Sequence, residues 1–201
     1  MSFIKTLTYN EADKTLKHAY DRVKGKKGEI DNILRVHSLR PHTLTGHMSL
    51  YKNVLHNNNN TLPKWYLECM GVYVSLLNKC DYCVSHHFEG MRKLIKEDTK
   101  ANNIKEALES DLRSEYLNFK EVSGLIYSRI VTTNPSVVNK SIIEQLHSDG
   151  FTDGEILEIN QVTAYFNYAN RTVLGLGVSV EGDILGLSPN DSNDENNWTH
   201  Q

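Results

Sequence analysis

The chain has 201 residues, of which 39% are hydrophobic and 23% are charged, and its formal net charge is -3. This length suits one domain with a substantial core, and the lack of a basic balance argues against binding to the phosphate backbone of nucleic acid. Only three cysteines occur, the longest apolar stretch runs from Val72 to Leu77, and no signal peptide is recognisable. We therefore expect a cytoplasmic protein without a membrane span, in which a cysteine pair is catalytic or metal-binding rather than structural.

Apolar residues at helical spacing predict helices along nearly the whole chain, and no alternating strand pattern of any length occurs. The predicted fold class is all-α, with one domain over residues 1–187 and a polar, disordered tail over residues 188–201. A weak internal similarity, which aligns Leu67-Glu68 with Leu157-Glu158, adds the hypothesis of two related helical units. The predicted helices begin at a capping box of Asn10 and Asp13 that leads to Val23, and continue as Ile30–Val36, Pro41–Leu55, Trp65–Leu77, Cys80–Ile95, Tyr116–Val131, Val138–Leu146 and Glu155–Leu174.

Two cysteines and a histidine, Cys80, Cys83 and His87, fall within eight residues at the start of one predicted helix. Thiols three residues apart can close a disulfide, and a histidine four residues after the second thiol lies on the same helical face. The positive end of the helix dipole lowers the pKa of a thiol in the first turn. This pattern is typical of thiol redox chemistry.

Glu68 is the only charged residue in the apolar run from Leu67 to Leu77. A buried carboxylate needs a partner, and apolar surroundings raise its pKa towards the range of a general acid or base. One interpretation pairs Glu68 with an arginine, Arg92 or Arg171. The interpretation that we favour, because of the thiols downstream, is a proton relay that serves them.

Two metal-based alternatives use the same cluster. Haem attachment requires histidine directly after the second cysteine, where this chain has Val84, so it is excluded. Zinc would need a fourth ligand such as His86 or Cys69, and a helical run suits a structural zinc site poorly. We expect neither a metal nor another cofactor.

The spacing of Glu68, Cys80, Cys83 and His87 resembles the E-x11-C-x-x-C-x3-H signature of the alkyl hydroperoxidase D (AhpD) family, within the carboxymuconolactone decarboxylase superfamily. Further segments are similar to its branch of peroxidase-related proteins, and the resemblance covers most of the chain. These segments are Ile33–Pro41 with His47, Leu62–Trp65, Gly150–Asp153 and Ala164–Arg171.

The resemblance implies an all-helical fold that assembles as a trimer or hexamer, and a thiol-dependent peroxidase. By the same resemblance, Cys83 attacks the peroxide and becomes a sulfenic acid, and Cys80 resolves it to a disulfide. Glu68 and His87 match the proton relay. The implied partners are a peroxide substrate and a thiol reductant, such as a lipoylated carrier or thioredoxin.

Tyr82 stands between the cysteines where the best-studied relay of the family has a histidine. A phenol titrates near 10 and accepts a proton poorly, so the relay is expected to be slower or rearranged. His86 is a possible substitute, although a surface position is favoured for it.

The remaining candidates have structural interpretations. Cys69 is expected to be a buried core thiol. The histidines near the start of the third helix are expected to be caps or surface residues, with a smaller chance that His47 lines the mouth of the site. These histidines are His37, His42 and His47. Core or subunit packing is favoured for the aromatic cluster of Tyr165, Phe166 and Tyr168.

Three functions other than peroxide reduction stay open from the sequence. They are general thiol-disulfide exchange, a non-enzymatic protein that stores zinc or senses redox state as an oligomer, and lactone decarboxylation. The last fits poorly, because the decarboxylases of the superfamily do not rely on a C-x-x-C pair.

Under mild oxidant, we expect Cys80 and Cys83 to form a disulfide with each other while Cys69 stays reduced, because the close spacing favours ring closure and burial protects Cys69. Mass mapping of the oxidised protein checks this. A bridge that includes Cys69, or a stoichiometric zinc ion in the purified protein, would contradict it.

Overall fold

The computed structural model describes residues 2–189 and 198–199, and these residues form helices and connecting turns with no β-strand. The predicted all-α class is therefore confirmed. A π-helical turn, Lys52–His56, continues the third helix, and a short 3₁₀ turn, Pro135–Val137, precedes the eighth. The α-helices are α1 Lys14–Val23, α2 Asn32–Arg35, α3 Pro41–Tyr51, α4 Lys64–Leu77, α5 Asp81–Ile95, α6 Asp98–Leu108, α7 Phe119–Thr133, α8 Lys140–Ser148 and α9 Asp153–Leu176.

Helix α4 is the centre of the core, because it packs against α5, α6, α7 and α9. All residues from Tyr66 to Ser75 are buried, as the apolar run predicts, and Glu68 is among them. A carboxylate is thereby placed inside the core, where it must find a partner.

A tight turn joins α4 to α5 and fixes the position of the first thiol. The Cys80 N–H donates to the Ser75 carbonyl at 2.9 Å, and the Lys79 N–H donates to the Leu76 carbonyl at 3.0 Å. With Lys79 in the left-handed region at φ 57°, these bonds form a Schellman cap. The residue that closes this cap, Cys80, is also the N-cap of α5.

Helix α9 approaches α4 closely at Gly71. A Cβ at this position would overlap the ring of Phe166, so only glycine permits this packing. The Phe166 ring in turn meets the ring of His87 edge-on, with centroids 4.5 Å apart. This contact sets the position of a predicted site residue.

The segment after α9 returns across α2 and α5. The Asn32 side chain donates to the carbonyls of Ser179 and Glu181, both at 2.9 Å, and the Lys93 ammonium donates to the Gly186 carbonyl at 2.8 Å. These bonds hold the C-terminal segment, residues 178–189, against α2 and α5. The predicted tail falls mainly on residues 190–197 and 200–201, which lie outside the described residues.

Two local predictions need correction. Helix α1 begins at Lys14 with Asp13 as its N-cap, because the Asp13 carboxylate accepts from the Leu16 N–H at 2.8 Å, so the predicted box with Asn10 is wrong. Helix α6 was not predicted, since two of its four buried residues, Ala101 and Ala107, are small.

None of the helices in the described part of the chain is long and apolar enough to cross a membrane.

Candidate active site

The α4–α5 hairpin brings Glu68 and His87 together. Glu68 Oε2 lies 2.7 Å from His87 Nδ1, a short charge-assisted hydrogen bond in a buried environment. The arginine alternative for Glu68 is wrong, because Arg92 pairs with Glu89 and Asp98 on the surface, and Arg171 bonds within α9. The carboxylate packs over Gly90, where a Cβ would lie 3.2 Å from its carboxyl carbon.

A second histidine also faces Glu68. His56 Nε2 lies 3.5 Å from Glu68 Oε1, and its ring meets that of Tyr51 edge-on. His56 ends the π-helical turn after α3 and was not predicted as a site residue. Glu68 thus lies between two imidazoles.

The two thiols of the C-x-x-C pair lie side by side at the start of α5. Both are buried and unbridged, and they share a hydrogen bond with each other and contacts with the Asn170 side chain. Asn170 comes from α9, and its Nδ2 also donates to Ser75 Oγ at 3.0 Å. Asn170 was not predicted as a site residue, because an asparagine within a long helix forms no sequence pattern that distinguishes it.

The two thiols have pKa values that are shifted in opposite directions. The hydrogen bond from Cys83 lowers the pKa of Cys80, and this residue is also at the N-terminus of α5, where the helix dipole favours negative charge. The same hydrogen bond, together with burial, raises the pKa of Cys83. In the reduced pair the thiolate is therefore favoured on Cys80, while Cys83 is the sulfur that lines a cavity.

This cavity is small and partly open. Its volume is about 40 Å³, which is room for two or three water molecules. Cys83, Glu68 and His87 are on its wall, whereas Cys80 lies behind Cys83 with no exposed surface. The remaining lining residues are Asp31, Ile33, Leu34, His47, Tyr51, Tyr82, His86, Gly90, Tyr165, Ala169 and Leu187.

Tyr82 and His86, the possible auxiliaries, are also on this wall. The Tyr82 hydroxyl donates to Asp183 Oδ2 at 2.7 Å, and the His86 ring stacks on Tyr82 with its Nε2 3.4 Å from the same oxygen. The favoured surface position for His86 is therefore wrong, since it is buried. Burial, then the charge of Asp183, raises the pKa of Tyr82 well above 10, so this phenol stays protonated.

The other candidates also have defined places. Cys69 is fully buried in the core, where burial raises its pKa and keeps it a thiol. His37 and His47 are buried, contrary to expectation, and His42 is exposed. His47 lines the cavity, 3.4 Å from the Tyr165 hydroxyl, and the aromatic cluster contributes both to the core and to the cavity wall.

Asp31 is a cavity residue that sequence analysis missed. It is the N-cap of α2, but its side chain makes no capping hydrogen bond to that helix. Burial raises its pKa to about 7, with His86 opposing and the Asp183 carboxylate adding to the rise. An aspartate before a helix is usually a cap, so the sequence pattern gave no reason to place it here.

Within residues 2–189 and 198–199, no group of three or more histidine, cysteine or acidic side chains is arranged to hold a metal ion.

The comparisons with known proteins rest on structure alone. No family model matches the sequence, and no curated protein does. An uncharacterised peroxidase-related protein from Ralstonia eutropha JMP134, described as an alkylhydroperoxidase AhpD core, shares 22% sequence identity at a TM-score of 0.77, over 89% of this chain and 91% of its own. One from Silicibacter sp. TM1040 gives 22% identity and a TM-score of 0.76 over 89% and 91% of the two chains.

A third similar structure has a different described activity. It is a cysteine-to-alanine variant of the debrominase Bmp8 in complex with 2,3,4-tribromopyrrole, with 16% identity and a TM-score of 0.69 over 90% of this chain and 95% of its own. Together these likenesses show that the chain has the AhpD-like fold, which the thiol motif predicted.

The raised pKa of Asp31 makes stability depend on pH. The unfolded carboxyl titrates near 3.8 and the folded one at about 7, so its contribution is present below pH 3.8 and is lost as the pH rises towards 7. The loss is on the order of 4 kcal/mol at higher pH. Asp31→Asn should gain melting temperature relative to the wild type as the pH rises through this window.

Thermal melts of both proteins across this range check the prediction, with Glu106→Gln as the control. Glu106 is an exposed carboxylate on α6 that does not line the cavity. Parallel curves for Asp31→Asn and the wild type would contradict the prediction.

Proposed function

We propose that the protein is a thiol peroxidase that reduces hydrogen peroxide or small alkyl hydroperoxides through Cys83 and Cys80. The observation that carries the proposal is the shared cavity, in which the Cys83 sulfur and the hydrogen-bonded pair of Glu68 and His87 line the same 40 Å³ space. The peroxidase-related proteins of the same fold support it. The proposed enzyme is thus an oxidoreductase, the class that the C-x-x-C motif implies.

In the first step, Cys83 loses its proton and its sulfur attacks one peroxide oxygen. The S–O bond forms as the O–O bond breaks, and the leaving oxygen takes a proton and departs as alcohol or water. Cys83 becomes a sulfenic acid. In the second step, the Cys80 sulfur attacks that of Cys83, the disulfide forms, and the hydroxyl leaves with a proton as water.

A dithiol reductant closes the cycle by reducing the disulfide, and it is itself oxidised to a disulfide. We propose a lipoylated carrier or thioredoxin for this role, and assembly into a trimer or hexamer, from the family resemblance. Supplying each reductant with hydrogen peroxide and following peroxide consumption tests the donor.

Glu68 and His87 fit the role of proton acceptor for Cys83. The carboxylate fixes the orientation of the imidazole and stabilises its protonated form, as a paired base requires. Cys80 is a second acceptor, because its thiolate already shares the Cys83 proton. Tyr82 is unsuited to accept it, since its hydroxyl is a donor to Asp183.

The cavity supports a small substrate. A volume of about 40 Å³ suits a hydroperoxyl group better than a large ring. Ile33, Leu34 and Leu187 give part of the wall an apolar character that suits a short alkyl chain.

The roles of the two thiols are separable. Cys83→Ser should abolish peroxide consumption and sulfenate trapping, while Cys80→Ser should leave one trappable sulfenic acid at Cys83 without turnover. Dimedone labelling followed by peptide mapping measures both outcomes. Cys69→Ala is the matched control and should keep full turnover. A label on Cys80 in the Cys83→Ser protein would reverse the assignment.

Glu68→Gln keeps the size of the side chain and removes its charge. A relay role predicts a rate loss of about 10² to 10⁴ with a raised apparent pKa of Cys83, because His87 loses the anion that stabilises its protonated form. The pH dependence of alkylation by iodoacetamide and of peroxide consumption measures both. Glu106→Gln, on the exposed face of α6, is the control. Unchanged titration and unchanged turnover would leave His87 as the base without Glu68.

A further inference from the structure

Peroxide reduction by a thiol requires two proton movements, and the pair of Glu68 and His87 accounts for only one. The sulfur must lose a proton, and the oxygen that leaves must gain one. Hydroxide and alkoxide are poor leaving groups, so a positioned acid accelerates the cleavage of the O–O bond. The inference below rests on the proposed peroxidase function and concerns this second proton.

We propose that Asp31 is the general acid that protonates the leaving oxygen of the peroxide. Asp31 and Cys83 line the same small cavity. Besides burial, both groups raise the pKa of Tyr51, a third residue of the cavity wall, so they lie near the same phenol. The Asp31 side chain is buried away from bulk solvent.

The Asp31 side chain does not cap α2. Its backbone carbonyl accepts the N–H groups of Leu34 and Arg35, at 2.9 and 3.1 Å. A buried carboxyl group that lines a cavity and has a raised pKa is typical of a functional site.

Burial, more than the surrounding charges, raises the pKa of the Asp31 carboxyl, so that a large fraction of it is protonated near neutral pH. Burial and the carboxylates of Asp183 and Glu29 favour the protonated form, and His86 and Arg35 oppose them, with a resulting pKa of about 7. The phenols of Tyr82 and Tyr51 also face it, and both stay protonated because burial raises their pKa.

Asp183 is the positioning residue of this arrangement. Its carboxylate accepts the Asn32 N–H at 3.1 Å and the Tyr82 hydroxyl at 2.7 Å, which hold a negative charge beside Asp31. An acid with a pKa near the working pH combines a useful protonated fraction with a strong tendency to donate.

The proton balance of the step is complete. The Cys83 proton passes to the acceptor pair of Glu68 and His87, the S–O bond forms, the O–O bond breaks, and the Asp31 proton passes to the leaving oxygen. Alcohol or water leaves, and Asp31 is left as a carboxylate. Water that enters the vacated cavity then carries the proton from the acceptor pair back to Asp31.

The proposal distinguishes oxidants by their leaving groups. Hydrogen peroxide and alkyl hydroperoxides release hydroxide or alkoxide and need the acid. Peracetic acid releases acetate, which is stable as an anion, and iodoacetamide releases iodide. Loss of Asp31 should therefore slow the first class of reagent only.

The test measures three rates at Cys83 in the wild type and in Asp31→Asn, at about pH 6 so that the acid is protonated. We expect oxidation by hydrogen peroxide to fall by about 10²-fold, while oxidation by peracetic acid and alkylation by iodoacetamide stay unchanged. Asp31→Glu should restore part of the hydrogen peroxide rate, and Glu106→Gln, on the exposed face of α6, should leave all three rates unchanged.

Each other outcome has a definite meaning. Equal slowing with all three reagents would show that Asp31 acts on the thiolate or on the fold, and would overturn the acid role, as would an unchanged hydrogen peroxide rate. If wild-type Cys83 is alkylated but neither peroxide oxidises it, the proposed peroxidase function fails and this role fails with it.

A measurement on the wild type alone covers the case in which Asp31→Asn does not fold. The ratio of the hydrogen peroxide rate to the alkylation rate removes the effect of the thiolate fraction. This ratio should fall as the pH rises through about 7, because Asp31 loses its proton there. A ratio that is flat across this range would overturn the proposal.

Discussion

The hydrogen bond between Glu68 and His87 is the interaction on which the site depends. It joins α4, the central helix of the core, to α5, which begins at the thiol pair, and it gives a buried carboxylate a hydrogen-bond partner. Its geometry requires a helix that approaches closely at Gly90 and an imidazole held by Phe166. The same hydrogen bond therefore belongs both to the core packing and to the candidate site, so a substitution that alters one also alters the other.

The part of the site that lies on the α4–α5 hairpin was predictable from the sequence. Glu68, Cys80, Cys83 and His87 occur at fixed spacings on two consecutive helices, and a hairpin turns such spacings into neighbours. His56, Asp31 and Asn170 were not predictable, because they reach the site from distant segments. His56 depends on a π-helical turn, which no apolar period predicts, and Asp31 resembles an ordinary N-cap.

The C-terminal segment closes the site and also adjusts its charge. Asp183 fastens the segment to α2 and to Tyr82, and Lys93 holds it at Gly186. Leu187 then forms one part of the cavity wall. The exclusion of water strengthens each electrostatic contact inside the site, so that the Asp183 carboxylate in this segment helps to raise the pKa of Asp31, which is distant in the sequence.

In the reduced thiol pair the shared proton stays on Cys83, the sulfur that lines the cavity. Cys80 is the more acidic thiol but has no exposed surface, whereas Cys83 donates its hydrogen to Cys80. The mechanism that we propose therefore begins with movement of this proton, either to Cys80 or to the pair of Glu68 and His87. A resting state with a protonated Cys83 resists reaction with adventitious electrophiles, since the thiolate is the reactive form. In the proposed mechanism, the same burial thus makes the proton acceptors, rather than the sulfur itself, the groups that control the rate.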